Sequence, residues 1–159
     1  MKPMLKGALA ALAISVALPA ASWAAGFDVN ATTTDLALRG YDPVSYFTES
    51  TPMAGEVDIT AQHNGATYRF ASVENKEMFE ADPAKFAPQY GGYCAFGLAQ
   101  GYKFDGDPEV WKIVDDKLYL NLSPKVSEIW QQDVPGNIDM ADDKWMNVKD
   151  VAPAELAPH

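Results

Sequence analysis

Apolar and polar residues alternate along Val57-Asp58-Ile59-Thr60-Ala61-Gln62-His63 and again along Ala66-Thr67-Tyr68-Arg69-Phe70, on either side of Asn64-Gly65. A period of two gives each stretch one buried and one wet face. Both turn residues tolerate positive φ, so the pair predicts a β-hairpin. Trp111-Lys112-Ile113-Val114 and Lys117-Leu118-Tyr119-Leu120 predict a second one, turning at Asp115-Asp116 without a glycine. Elsewhere the period lengthens. Ser72 is placed to cap a helix running to Asp82, with Glu74 near its positive end and Val73, Met78 and Phe79 on its apolar side. Asp82-Pro83 reads as a second cap, opening a short segment that carries Phe86 and stops near Pro88. Ser123-Pro124 repeats the device for a helix with Val126, Ile129 and Trp130 on one face, which Pro135-Gly136 ends. Asn137 is expected to cap a last short helix marked by Ile138, Ala141 and Trp145. No internal repeat, heptad run or long low-complexity segment is evident. Strands and helices in separate runs predict a small single α+β domain, its core including Phe70, Phe79, Phe86, Trp111, Ile113, Leu118, Leu120 and Trp130.

The N-terminus changes the setting of that domain. Lys2 and Lys6 precede an apolar stretch from Ala8 to Leu18, and Ser22-Trp23-Ala24 offers a small-x-small cleavage pattern. Residues 1–24 are therefore expected to be a signal peptide, too short in its apolar part to span a membrane. The expected mature protein is periplasmic or secreted, with no membrane insertion after cleavage. Residues 25–34 and the Ala/Pro tail 149–159 read as flexible, leaving 35–148 as the domain. Loss of the two signal lysines moves the formal charge from −10 to −12. Such an acidic surface repels phosphate backbones, so nucleic acid is not an expected partner.

The single cysteine, Cys94, lies in Tyr90-Gly91-Gly92-Tyr93-Cys94-Ala95-Phe96-Gly97. In an oxidising compartment an unpaired thiol is buried, coordinated, reactive or joined to another molecule. If Cys94 starts a helix through about Gln100, the helix dipole and free N–H groups favour its thiolate. His63, beside the first hairpin turn, is the one histidine outside the tail. Joined to Cys94 and one of Met78, Met53 or Met140, it would suit Cu(I), which accepts thiolate, imidazole and thioether. A closed zinc site needs more cysteine or histidine ligands than the chain has at suitable spacing. Neither GxSxG nor GxGxxG occurs, which removes the familiar hydrolase and dehydrogenase signatures.

Several separated blocks carry a resemblance: Gly40-Tyr41-Asp42-Pro43-Val44-Ser45-Tyr46-Phe47, then Asn64 to Ser72, then Asn75 to Phe79, then Ala81 to Ala95. In this order they resemble the YHS domain family, over roughly Asp35 to Trp145, and most of all its exported bacterial branch, some members of which are selenoproteins. The wider family is associated with heavy metals, and that resemblance implies thiol ligands at the positions of Ser45, Ala71 and Asn75. This chain has no thiol at any of the three. In the exported branch, selenocysteine can stand where Cys94 does, which implies redox or soft-metal chemistry there.

Three functions are compatible with these readings. One is a binding module for a soft metal, copper above all, through Cys94 with His63 and Met78. Another is a thiol redox protein in which Cys94 works with an external partner protein. The third is a non-catalytic interaction domain in which Cys94 only packs. The metal reading is the leading expectation, since the wider family is associated with metals and Cys94 has no resolving cysteine in its own chain.

Overall fold

The computed structural model describes residues 25–158. The expected signal peptide, residues 1–24, and the terminal His159 lie outside that range. The fold is the α+β arrangement expected: two separate antiparallel hairpins with helices packed around them. In chain order the elements are α1 (Ser45–Thr48), β1 (Glu56–His63), β2 (Ala66–Phe70), α2 (Val73–Ala81), α3 (Pro83–Phe86), α4 (Ala95–Gln100), β3 (Asp107–Val114), β4 (Lys117–Asn121), α5 (Pro124–Trp130) and α6 (Val134–Val148). Among the described residues no helix is long and apolar enough to cross a membrane.

The expectation of no internal repeat is corrected here, because one motif occurs twice at an offset of 51 residues, as from Glu56 to Asp107. Each hairpin pairs an eight-residue strand with a five-residue one. The irregularities in register correspond as well, between Glu56 and Thr60 in β1 and between Asp107 and Trp111 in β3. Each hairpin turns through two left-handed residues, Asn64-Gly65 and Asp115-Asp116. Each second strand then runs into a serine cap: Ser72 Oγ accepts from Asn75 N at 3.1 Å, and Ser123 Oγ from Val126 N at 3.3 Å. Asp82 and Asp133 cap the next helices in the same way, accepting from Lys85 N and Gly136 N. Tyr68 stacks on Phe79 with ring centroids 4.8 Å apart, and its counterpart Tyr119 stacks on Trp130 at 5.6 Å.

A glycine precedes each first strand for one steric reason. A Cβ at Gly55 would lie 2.5 Å from Arg69 Cβ, and one at Gly106 would lie 2.8 Å from Leu120 Cβ, the residue 51 positions on. Any side chain there would push the hairpin off the loop beneath it.

The halves differ at their ends. Asn137, expected to cap the last helix, lies inside α6, where its Nδ2 donates to Trp130 O at 2.9 Å. Asp133 is the cap, and Pro135 sits in the first turn, where a missing N–H leaves no bond unmade. Pro135-Gly136 therefore lies within the opening of α6 and does not end α5. Trp111 and Ile113, expected in the core, are only partly buried at its margin.

Both segments expected to be flexible meet the domain at Lys103. Lys103 is buried, and its Nζ donates to Phe27 O at 2.7 Å, Lys149 O at 2.6 Å and Val151 O at 2.9 Å. The same ammonium lies 5.1 Å from the Tyr93 ring centroid and 5.4 Å from that of Trp145. One cation thus ties residues from both ends of the described chain to its middle. Lys103→Met should lower the unfolding free energy by about 3 kcal/mol in urea denaturation, since it removes three charge-assisted bonds to part-buried carbonyls. A loss below about 1 kcal/mol would show that the ends are held by other contacts.

Candidate functional site

Cys94 is the N-cap of α4, as the sequence suggested, and it is 1% exposed. Its sulfur accepts N–H bonds from Gly97 at 3.4 Å, the ordinary capping partner, and from Leu122 at 3.2 Å, across the domain at the end of β4. Its S–H faces Asn121 Oδ1 at 3.6 Å, and that same oxygen accepts from Phe96 N at 3.2 Å. The backbone beside it is fixed by Cys94 N donating to Phe104 O at 2.9 Å and by the bridge of Tyr93 to Asp105.

The first half contains the counterpart of this arrangement. Asp42 N donates to Met53 O at 2.8 Å, and Tyr41 bridges to Ala54, so Asp42 stands where Cys94 stands in the second half. Asp42 is fully buried. Its Oδ1 accepts from Val44 N at 2.8 Å, and its Oδ2 accepts from Ala71 N at 2.9 Å and Asn75 Nδ2 at 2.7 Å. Ala71 and Leu122 occupy the same place, one residue beyond each second strand. The loop preceding each hairpin therefore raises one side-chain acceptor to the N–H at the strand-to-helix joint. A carboxylate does this in one half and a sulfur in the other. Sequence reading missed Asp42 because its bonds join residues far apart in the chain. The shared signal is Gly-Tyr-Asp and Gly-Tyr-Cys, at Gly40 and Gly92.

Ser45, Ala71 and Asn75, where the resemblance implies thiols, do lie together, gathered around Asp42. Ser45 Oγ donates to Asp42 O at 2.8 Å and accepts from Met53 N at 3.0 Å, while Ala71 and Asn75 bond the carboxylate as above. A hydrogen-bonded network fills the place. It offers a metal no free donor.

The leading expectation joined Cys94 to His63 and Met78. His63 stands at the end of β1 with its ring 5.8 Å from that of Phe79 and 6.3 Å from that of Tyr68. It lines a cleft of about 330 Å³ with Asp28, Tyr90, Trp145 and Lys149. Burial pushes its pKa down, against a small upward pull from Asp28. Met78 is 41% exposed on α2, and Met53 and Met140 are exposed too. The neighbours of His63 and those of Cys94 do not overlap. Among the described residues no group of three or more His, Cys, Asp and Glu is placed to hold a metal ion. The N–H dipoles around the sulfur turn their positive ends toward it, which repels a cation. The donor set at Cys94 does not fit copper.

Burial pushes the Cys94 thiol pKa up, and the N–H bonds from Gly97, Leu122 and Phe96 pull it down without overcoming burial. Burial likewise raises Tyr46, Tyr68 and Tyr90, and raises Tyr93 and Tyr119 to about 12. Comparison with protein-family models, with curated proteins and with solved structures finds no match in any of the three.

Two expectations follow. Groups whose pKa is raised on folding stabilise the fold fully below their unfolded values, and that stability is lost as pH rises toward the folded ones. Urea midpoints should therefore be flat through neutral pH and fall above about pH 9, where unfolded thiol and tyrosine ionise first. A midpoint that rises in that range would contradict the burial assigned to them. Cys94→Ala strands the N–H groups of Gly97 and Leu122 and should cost about 2–4 kcal/mol, whereas Cys94→Ser, which keeps an acceptor, should cost about half as much. Equal losses in calorimetry would mean that the sulfur only fills space.

Proposed function

We propose that this chain is an exported YHS-like domain in which Cys94 is a redox thiol oxidised by small peroxides and restored by an external thiol. The observation that carries this reading is that the sulfur takes the N–H-lined position which, in the other half, holds a buried carboxylate. The N–H groups of that position offset part of the burial cost of the thiolate that must form during attack, while the resting thiol stays protonated. A helix cap alone does not call for sulfur, since this chain caps α2 and α5 with Ser72 and Ser123. The gathering of Ser45, Ala71 and Asn75 around Asp42 supports the YHS-like assignment.

In the forward step the sulfur attacks one oxygen of hydrogen peroxide, and the O–O bond breaks as the S–O bond forms. Cys94 becomes sulfenic acid, losing two electrons, and the departing hydroxide takes the thiol proton to leave as water. An external thiol then condenses with the sulfenic acid, releasing water and forming a mixed disulfide. A second external thiol frees Cys94 and departs as the oxidised disulfide. Burial confines the first step to oxidants small enough to enter during local opening.

Peroxide treatment followed by trypsin tests this directly, because the peptide from Phe86 to Lys103 contains Cys94 and no methionine. One added oxygen is expected on that peptide, with no native-state labelling by a bulky maleimide. The oxidation rate should climb about tenfold per pH unit through neutrality, because the thiol pKa is raised and more thiolate forms at each step. An unmodified peptide under conditions that oxidise the 71% exposed Met146 would overturn the proposal.

A further inference from the structure

Beside the sulfur, the second half carries polar groups where the first has phenylalanines. Asn121 stands at the position of Phe70, and Trp130 at that of Phe79, each 51 residues on. In the first half these two rings touch, with centroids 5.2 Å apart, and complete an apolar core. In the second half both side chains are fully buried, and each has a donor with no partner, Asn121 Nδ2 and Trp130 Nε1. These are the two buried side-chain atoms without a hydrogen bond among the described residues. A buried N–H left unpaired costs about 1–3 kcal/mol, so two at corresponding positions call for a physical reason.

The orientation of Asn121 is set by its neighbours. Phe96 N donates to Oδ1 at 3.2 Å, which fixes that atom as the oxygen, and the same oxygen faces Cys94 Sγ at 3.6 Å. The amide is thus committed on its acceptor side and free on its donor side, directly beside the thiol. Trp130 stacks on Tyr119, the residue two before Asn121, and belongs to the apolar cluster that holds Ala95, the residue after Cys94.

We propose that Asn121 Nδ2 and Trp130 Nε1 form an oxygen-holding site for the Cys94 reaction, one that receives the peroxide oxygen as it is transferred and then the sulfenic acid oxygen. This rests on the redox reading of Cys94 and adds to it the residues that select an oxygen-bearing oxidant. The donors stabilise the negative charge that develops on oxygen as the O–O bond breaks, and no protein group accepts from them. Through these two donors Asn121 and Trp130 act on the reacting oxygen. The proton and electron changes remain those of thiol and peroxide going to sulfenic acid and water.

The test compares two small uncharged reagents, each read as the ratio of variant to wild-type rate on the full folded chain. Hydrogen peroxide transfers an oxygen, whereas iodomethane methylates sulfur and brings no oxygen to hold. Trp130→Phe keeps the ring, removes the N–H and restores the residue type of the first half, so it is expected to fold. Asn121→Ala is the second variant. Each should lower the ratio of peroxide oxidation to methylation at the Phe86–Lys103 peptide by about tenfold, the effect of one lost hydrogen bond in the transition state, because a change in thiol ionisation moves both rates alike. A selective fall in either variant supports the site. Unchanged peroxide rates in both, or a parallel fall with both reagents, overturns it while leaving the thiol reading intact. Failure of the wild-type peptide to take up oxygen would instead overturn the redox reading itself.

Discussion

Each hairpin hands its second strand to a helix, and the N–H at that joint points back into the protein, where water does not supply an acceptor. The fold depends on a side chain rising from the preceding loop to meet it: Asp42 for Ala71 N and Cys94 for Leu122 N. An unmet donor there would cost about 1–3 kcal/mol, a sizeable part of the total stability of a domain of this size. The acceptor also holds the next turn, through Val44 N or Gly97 N, so one side chain fixes strand, loop and helix together. Left-handed glycines at Gly40 and Gly92, with φ of 85° and 88°, set the loop that delivers it.

The two acceptors make different demands on their surroundings. A buried carboxylate needs several donors, and Asp42 has Asn75 Nδ2 besides the backbone groups. A thiol carries one proton and no charge at rest, so it can remain neutral with fewer donors provided that its proton has somewhere to lie. Asn121 Oδ1 provides that place. The exchange of Phe70 for Asn121 is thus coupled to the exchange of Asp42 for Cys94, and it brings a polar amide into what the first half keeps apolar.

Much of the fold was legible because its signals are local. Asn64-Gly65, Ser72, Asp82-Pro83 and Ser123-Pro124 each state a turn or cap within a few residues, and the structure places elements there. Cys94 as an N-cap was readable for the same reason. The repeat was not, because what the halves share is backbone geometry, while the side chains filling it differ, Phe70 against Asn121 and Arg69 against Leu120. A trace survives in the spacing of Tyr68, Ser72 and Asp82, which recurs at Tyr119, Ser123 and Asp133. Those residues persist because they cap helices or stack on the helix behind the hairpin, roles few other side chains fill. Pro135-Gly136 misled because proline both ends one helix and opens the next, and only the side-chain bond from Asp133 to Gly136 N decides between them.

The site itself could not be read from the chain, since every contact that defines it is long-range. The ligand chemistry of a thiol, a histidine and methionines suggested a soft-metal set, yet the fold sends His63 to the far end of a hairpin and leaves Met78 on a helix surface. The two halves also differ in what packs on the helix that follows each acceptor. In the first half α1 is short, and beside it Tyr46, Phe47, Trp111 and Ile113 line an open depression of about 570 Å³. In the second half α6 runs for fifteen residues and closes over α4, with Ile138, Ala141 and Trp145 packed against Leu98 and Ala99. Lys103 then fastens the chain beyond α6 to the N-terminal segment. The helix whose first turn the sulfur caps, α4, is thus held by α6 at Leu98 and Ala99.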